Sequence, residues 1–122
     1  MKIDNYNIVL EDKNLPKSDG YFNIYRPCNE LHYIRNYTGD YYDGITVFTD
    51  ECCFEKRVDT LKSKWKIAWL VEPEVIKPKE YPLIPTIEDK FDYIFTHKAE
   101  LLKKNPNKYK KMIFGACCIP QE

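Results

Sequence analysis

Short, continuous apolar runs dominate the hydrophobic pattern of this chain. They lie at Ile45–Phe48, Ile67–Val71, Tyr93–Phe95 and Met112–Phe114. Each run is too short for a typical helix and carries β-branched or aromatic residues, which favours strands. Continuous rather than alternating apolar strands are typical of a parallel sheet whose two faces are both covered.

The segments between these runs are long enough for helices. Apolar residues recur at three- and four-residue spacing after the first run (Val58, Leu61 and Trp65) and lie in a lysine-rich stretch after the third (Ala99, Leu101 and Leu102). Four prolines follow the second run, at positions 73, 78, 82 and 85, and they favour a loop with a short helix through Ile84–Lys90. This alternation of strands and helices predicts an α/β fold, a Rossmann-like domain with a mainly parallel sheet flanked by helices.

The pattern is less regular before Gly44. Asn7–Leu10 and Tyr21–Tyr25 are predicted strands, and Asn29 is placed to cap a helix that runs to about Tyr37. No repeat, low-complexity segment or linker interrupts the 122 residues. We therefore expect one domain over residues 1–122.

The amino-acid composition argues against two classes of binding partner, nucleic acids and membranes. Nineteen basic and nineteen acidic residues balance, so the chain lacks the positive charge that binding to nucleic acid requires. No apolar run approaches the roughly 20 residues of a membrane span, and the N-terminus lacks the apolar stretch of a signal peptide. We expect a cytoplasmic protein that binds no nucleic acid and no membrane, and the sequence leaves a homo-oligomer open.

The cysteines and the known motifs exclude several kinds of chemistry. Five cysteines, at positions 28, 52, 53, 117 and 118, lack the spacing of a zinc site and are expected to be reduced thiols. No Gly-rich phosphate loop or hydrolase motif occurs. We therefore predict no metal and no cofactor.

Polar residues follow each predicted strand. Their positions are Thr49 and Asp50, then Glu72, then Thr96 and His97, and finally Gly115. Because parallel strands bring their carboxyl ends to one edge, where α/β proteins bind ligands, we expect these residues to converge there. Pro73 has no N–H group, so it ends the strand and leaves Glu72 at its exit.

Each of these residues also has a purely structural interpretation. Thr49 and Asp50 are common helix caps, and His97 stands where a helix would start. Glu72 could pair with a neighbouring cation, and Gly115 could serve a turn with positive φ. Trp65 and Trp69 are expected in the core rather than in a site.

The same residues carry a resemblance to a known family. ITVFTDECC, KIAWLVEPEVIKPKEY, FDYIFTHKAELL and KMIFGACCIP, in this order, resemble the N-terminal half of fucosyltransferase-like glycosyltransferases of large DNA viruses, phages and bacteria. The resemblance extends from Ile45 to Pro120. It implies a GT-B architecture, in which this half holds the sugar acceptor and a second domain, beginning after Pro120, holds the nucleotide-sugar donor. The sequence departs from the family pattern at His97-Lys98 and at Ala116-Cys117-Cys118.

Two functions are compatible with these features. In the first, the chain is an acceptor-side domain that lacks the donor half and is inactive alone, with Glu72 or Asp50 as the general base. Its ligand would contact Thr49, Glu72, Thr96, His97 and Gly115. In the second, the chain is a stand-alone, non-catalytic module that binds or sequesters a nucleotide- or sugar-like molecule. A viral protein in the host cytoplasm would fit this second class.

Overall fold

A parallel sheet organises the molecule. The computed structural model describes residues 6–13, 31–71 and 74–111. Six strands lie within these ranges: β1 (Tyr6–Glu11), β2 (Leu31–Ile34), β3 (Tyr41–Thr49), β4 (Lys62–Trp69), β5 (Tyr93–Thr96) and β6 (Tyr109–Lys111). Their order is β2-β1-β3-β4-β5-β6, and every neighbouring pair is parallel.

The helices between the strands are short in the described part of the chain. They are α1 (Arg57–Thr60), α2 (Ile84–Ile87) and α3 (Ala99–Lys104), with 3₁₀ turns at Asp50–Phe54, Tyr81–Leu83 and Glu88–Lys90. The predicted α/β, Rossmann-like fold with its parallel sheet is confirmed, although few helices flank the sheet within the described residues.

The main core lies on one face of the sheet. It combines residues of the strands (Val9, Phe48, Ala68, Ile94 and Tyr109) with residues of the connections between β3 and β6 (Cys52, Cys53, Val58, Leu61, Tyr81, Ile84, Ile87, Phe91 and Leu101). These connections therefore pack on the same face. This arrangement is expected because right-handed crossovers that advance in one direction along a sheet stay on one side.

The opposite face carries a second apolar cluster. Ile8, Leu10 and Val47 are buried there, with Tyr33, Ile45, Ile67 and Trp69 packed against them. A groove of about 380 Å³ crosses this face. Apolar side chains on both faces explain why the strands read as continuous apolar runs.

An unusually short connection joins β2 to β3. Arg57 holds it by donating hydrogen bonds from Nη2 to the carbonyl oxygens of Tyr37 and Gly39, at 2.8 and 2.9 Å. The Tyr37 hydroxyl donates to the Tyr41 carbonyl at 2.5 Å. A Cβ atom on Gly39 would lie 2.6 Å from the Tyr37 hydroxyl oxygen, so a larger residue here would displace the Tyr37 ring from this position.

The predicted helix from Asn29 to about Tyr37 is wrong. Leu31–Ile34 is strand β2, paired in parallel with β1 from Leu31 opposite Tyr6 to Ile34 opposite Val9. Asn36 has a φ of 58°, a left-handed conformation that a helix cannot contain. Asn29 itself lies outside the described residues.

The helical spacing that included Trp65 is also only partly correct. α1 ends at Thr60, and Lys62 begins β4 with a backbone hydrogen bond to the Asp40 carbonyl at 2.8 Å. Trp65 therefore lies on a strand, and it is 43% exposed rather than in the core. Trp69 is partly buried against the second apolar cluster, as expected for a core residue.

The other predicted elements have mixed outcomes. Asn7–Leu10, Ile45–Phe48 and Tyr93–Phe95 lie within β1, β3 and β5, and the helical segments Ile84–Lys90 and Ala99–Leu102 are confirmed. The run Ile67–Val71 leaves the strand after Trp69. Tyr21–Tyr25 and Met112–Phe114 lie outside the described residues, and β6 precedes the latter.

A charged cluster anchors β6 and makes stability depend on pH. The buried Tyr109 hydroxyl donates a hydrogen bond to Glu88, and Lys104 Nζ lies 3.3 Å from the same carboxylate. These two donors, Tyr109 first, lower the pKa of Glu88 below its ordinary value. A depressed folded-state pKa stabilises the protein above the unfolded value, about 4.3, and this stability is lost as pH falls through the folded value.

We therefore expect Glu88→Gln to destabilise the protein more at pH 7 than at pH 3. Urea unfolding of both proteins at the two pH values measures this difference. An equal loss of stability at both pH values would show that the charge of Glu88 has no part in it.

Candidate functional site

The carboxyl edge of the sheet holds four of the predicted site residues. Thr49 ends β3 and Thr96 ends β5, and Asp50 and His97 directly follow them. Thr49 lies opposite Trp69 of β4, which lies opposite Phe95 of β5, so the two strand ends are level. They are two strand spacings apart, about 10 Å. Glu72 and Gly115 lie outside the described residues, and their roles stay predictions.

Asp50 has the most unusual environment of these residues. It is 5% exposed, and its φ of 44° places it in the left-handed region, where a side chain is unfavourable. Asn36, which follows β2, is the other non-glycine residue with positive φ in the described ranges. Both strained residues thus lie beyond the carboxyl ends of strands, a position typical of functional sites.

The two threonines have different local roles. The Thr96 hydroxyl accepts a hydrogen bond from the Lys98 N–H at 3.1 Å, so it shapes the turn that leads into α3. Thr49 stands at a cap position, but its side chain makes no capping hydrogen bond. Helix capping therefore explains Thr49 less well than the sequence suggested.

Ion pairs tie the loops of this edge together. Lys77 Nζ lies 3.0 Å from Glu51 Oε2, which joins the loop after β4 to the turn after β3. Lys98 Nζ lies 2.7 Å from Glu74 Oε2, which joins the loops after β5 and β4, and it also lies 5.7 Å from the centre of the Tyr81 ring. The loops after three neighbouring strands are thus held next to one another.

A cavity that the sequence did not predict lies at the same edge, at the ends of β1 and β2. It has a volume of about 300 Å³ and is lined by residues 10–12, at the carboxyl end of β1, and by residues 35–38, which follow β2. Arg35 Nη1 lies 2.7 Å from Asp12 Oδ1, and both side chains are largely buried. Glu11 Oε2 lies 4.0 Å from Arg57 Nε, and burial raises the pKa of Glu11 above its ordinary value.

A signal for these residues was present in the sequence. β1 is an apolar run that ends at Glu11 and is followed by Asp12, just as β3 ends at Thr49 and is followed by Asp50. Their position could not be inferred because it depends on β1 lying directly beside β3.

Two thiols lie close to Asp50, below the edge. Cys52 and Cys53 are free and buried, and Cys53 Sγ donates to the Phe48 carbonyl oxygen at 3.3 Å. Burial raises the pKa of Cys52 to about 12. Burial and then the charge of Asp50 raise the pKa of Cys53 well above its ordinary value.

These thiols are expected to be unreactive in the folded protein. Only the thiolate attacks a disulfide reagent, so at pH 8 both should react at least about 100-fold more slowly than in the unfolded chain. The measurement is a titration with a chromogenic disulfide reagent, with and without urea, of a variant in which the cysteines at positions 28, 117 and 118 are replaced by serine, so that only these two thiols are counted. Rapid reaction of both thiols without urea would contradict this prediction.

The described residues contain no group of three or more potential metal ligands among His, Cys, Asp and Glu. None of the helices in the described ranges has the length and apolar character needed to cross a membrane. Comparison of the chain with family models, with curated proteins and with solved structures gives no match.

Proposed function

We propose that this chain binds a small, hydroxyl-rich molecule at the carboxyl edge of its sheet, in the manner of the acceptor-side domain of a glycosyltransferase. The observation that carries the proposal is the reversal of strand order between β1 and β3. In open parallel sheets, ligands bind at such a point, beyond the carboxyl ends of the strands. Here Glu11 ends β1 and Asp12 follows it, and the buried, strained Asp50 follows the end of β3.

The charges of this edge favour a sugar-like ligand over a nucleotide. Arg35, Lys77 and Lys98 each pair with a carboxylate, respectively Asp12, Glu51 and Glu74. A phosphate group would have to compete with these carboxylates for its cation. Uncharged hydroxyl groups meet no such competition, and carboxylates are strong acceptors for them.

Asp50 is our candidate for the residue that accepts a proton from the acceptor hydroxyl. A carboxylate within hydrogen-bonding distance of an attacking hydroxyl can act as a general base. Sugar transfer would also require a domain that holds the donor against this edge, because the two reactants must be oriented together. The resemblance of KIAWLVEPE and the neighbouring segments to glycosyltransferases supports this assignment, with Glu72 as the other candidate base.

The test is a binding titration of the chain against neutral monosaccharides, nucleotide sugars and cyclic nucleotides. Asp50→Asn keeps the side-chain shape and tolerates the left-handed backbone. It should weaken sugar binding about 10-fold or more, since hydrogen bonds to charged groups are worth about 1.5–3 kcal/mol. Asp89→Asn is the control, because Asp89 is exposed and lies before β5, towards the opposite edge.

Several results would count against the proposal. Binding of cyclic nucleotides without binding of sugars would favour the non-catalytic nucleotide-binding alternative. Equal sugar affinity of the two aspartate variants would remove Asp50 from the site. Thermal melts of both variants should stay close to that of the parent chain, so that a loss of binding is not a loss of folding.

A further inference from the structure

We infer that the cavity at the ends of β1 and β2 is a subsite for one uncharged sugar ring, with Glu11 as the hydrogen-bond acceptor for its hydroxyls. This inference rests on the proposed function and assigns to it residues that the sequence did not indicate. The cavity lies beside the point where the strand order reverses, because Glu11 pairs in register with Phe48 of β3.

The first argument is that the Glu11 carboxylate can accept a further hydrogen bond. The nearest cation in the described ranges is Arg57, whose Nε is 4.0 Å from Glu11 Oε2, beyond hydrogen-bonding distance. The Arg57 guanidinium is already occupied, since its Nη2 donates to two backbone carbonyls. The side chain of Glu11 is only 22% exposed, so the carboxylate is partly removed from water without gaining a close partner. A ligand hydroxyl would supply that partner.

The second argument is the chemistry of the walls. Residues 35–38 bring a guanidinium, an amide and two hydroxyl-bearing side chains, whereas residues 10–12 bring two carboxylates. A sugar hydroxyl both donates and accepts, so it needs donors and acceptors on neighbouring walls. The Asp12–Arg35 ion pair holds these walls at a fixed distance, since its side chains are only 2% and 12% exposed.

The charge and the size of the cavity disfavour anions and larger ligands. The described residues of the lining include two carboxylates and one guanidinium, a balance of charge that disfavours an anion. A volume of about 300 Å³ is at the lower end of the range of small-molecule pockets, so it suits a single ring better than a nucleotide sugar.

The experiment maps ligand contacts by two-dimensional amide NMR, with glucose, galactose, fucose and mannose and their phosphate esters as probes. We expect the largest shifts at residues 10–12 and 35–38, and tighter binding of a neutral sugar than of its ester. Glu11→Gln should weaken sugar binding about 10-fold through the loss of a charged hydrogen-bond acceptor, whereas Glu100→Gln, on the exposed surface of α3, should not change it. Thr38→Val removes an exposed hydroxyl from the other wall and should weaken binding several-fold.

The outcomes separate this inference from the proposed function. Shifts confined to residues 49–50 and 96–97, with Glu11→Gln binding normally, would overturn the subsite and leave the proposed function intact. Tighter binding of the phosphate esters would overturn the uncharged ligand class. If no probe binds the folded chain, both proposals fail. Should Glu11→Gln not fold, Thr38→Val decides, and unchanged affinity in that variant overturns the subsite.

Discussion

Phe48→Ala is expected to lower the free energy of unfolding by about 3–5 kcal/mol, the usual cost of emptying an aromatic site in a core. Phe48 is fully buried in β3, and its ring centre lies 5.9 Å from that of Phe91 in an edge-to-face arrangement. A domain of this size has a total stability of about 5–15 kcal/mol, so the loss is a large fraction of it. Urea unfolding measures the free energy, and the melting temperature should fall by about 10–20 °C.

Tyr41→Ala is the matched control. Tyr41 is an aromatic residue of the same strand, but it is 56% exposed. Truncating it should cost less than about 1 kcal/mol. If both variants lose the same stability, the main core does not lie on the face to which Phe48 contributes.

Arg35→Met should be the second strongly destabilising change, again by about 3–5 kcal/mol. Arg35 Nη1 lies 2.7 Å from Asp12 Oδ1, and the Asp12 side chain is only 2% exposed. Removing the guanidinium takes a close cationic partner away from this buried carboxylate, so its desolvation is compensated less well. Urea unfolding at neutral pH measures the loss.

Combining Arg35→Met with Asp12→Leu tests this explanation. Replacing both partners of a buried ion pair by apolar residues is often nearly neutral. The double variant should therefore be more stable than Arg35→Met alone. If the double variant loses as much stability as the two single variants together, the ion pair does not account for the destabilisation by Arg35→Met. In that case the ion pair is also not what holds the walls of the cavity.

The parts of the fold that the sequence predicted are those set by local pattern. Ile45–Phe48 and Tyr93–Phe95 are short, mainly apolar runs, a pattern typical of strands in a parallel sheet, and both lie in such strands. Leu31–Ile34 carried no such signal. Four residues fit a helix or a strand equally well by period, and pairing with β1 decided the outcome.

The candidate site also has a part that the sequence predicted and a part that it did not. That Thr49 and Thr96 would share an edge followed from parallel strands alone, because polarity puts all carboxyl ends on one side. The exposure of Trp65 did not follow, since its spacing from Val58 and Leu61 suited a helix, whereas pairing of Lys62–Trp69 with β3 placed it on a strand.

By itself, the sequence determined the α/β class, the parallel direction of the central strands and the polar residues at their ends. These depend on side-chain period and on the residue that follows each strand. Only the tertiary structure decided that β1 lies between β2 and β3, and hence that Glu11, Asp12 and Arg35 line one cavity. Strand order is a long-range choice, set by which strands bury the most apolar surface together and pair their backbone groups. No local pattern of residues encodes that choice.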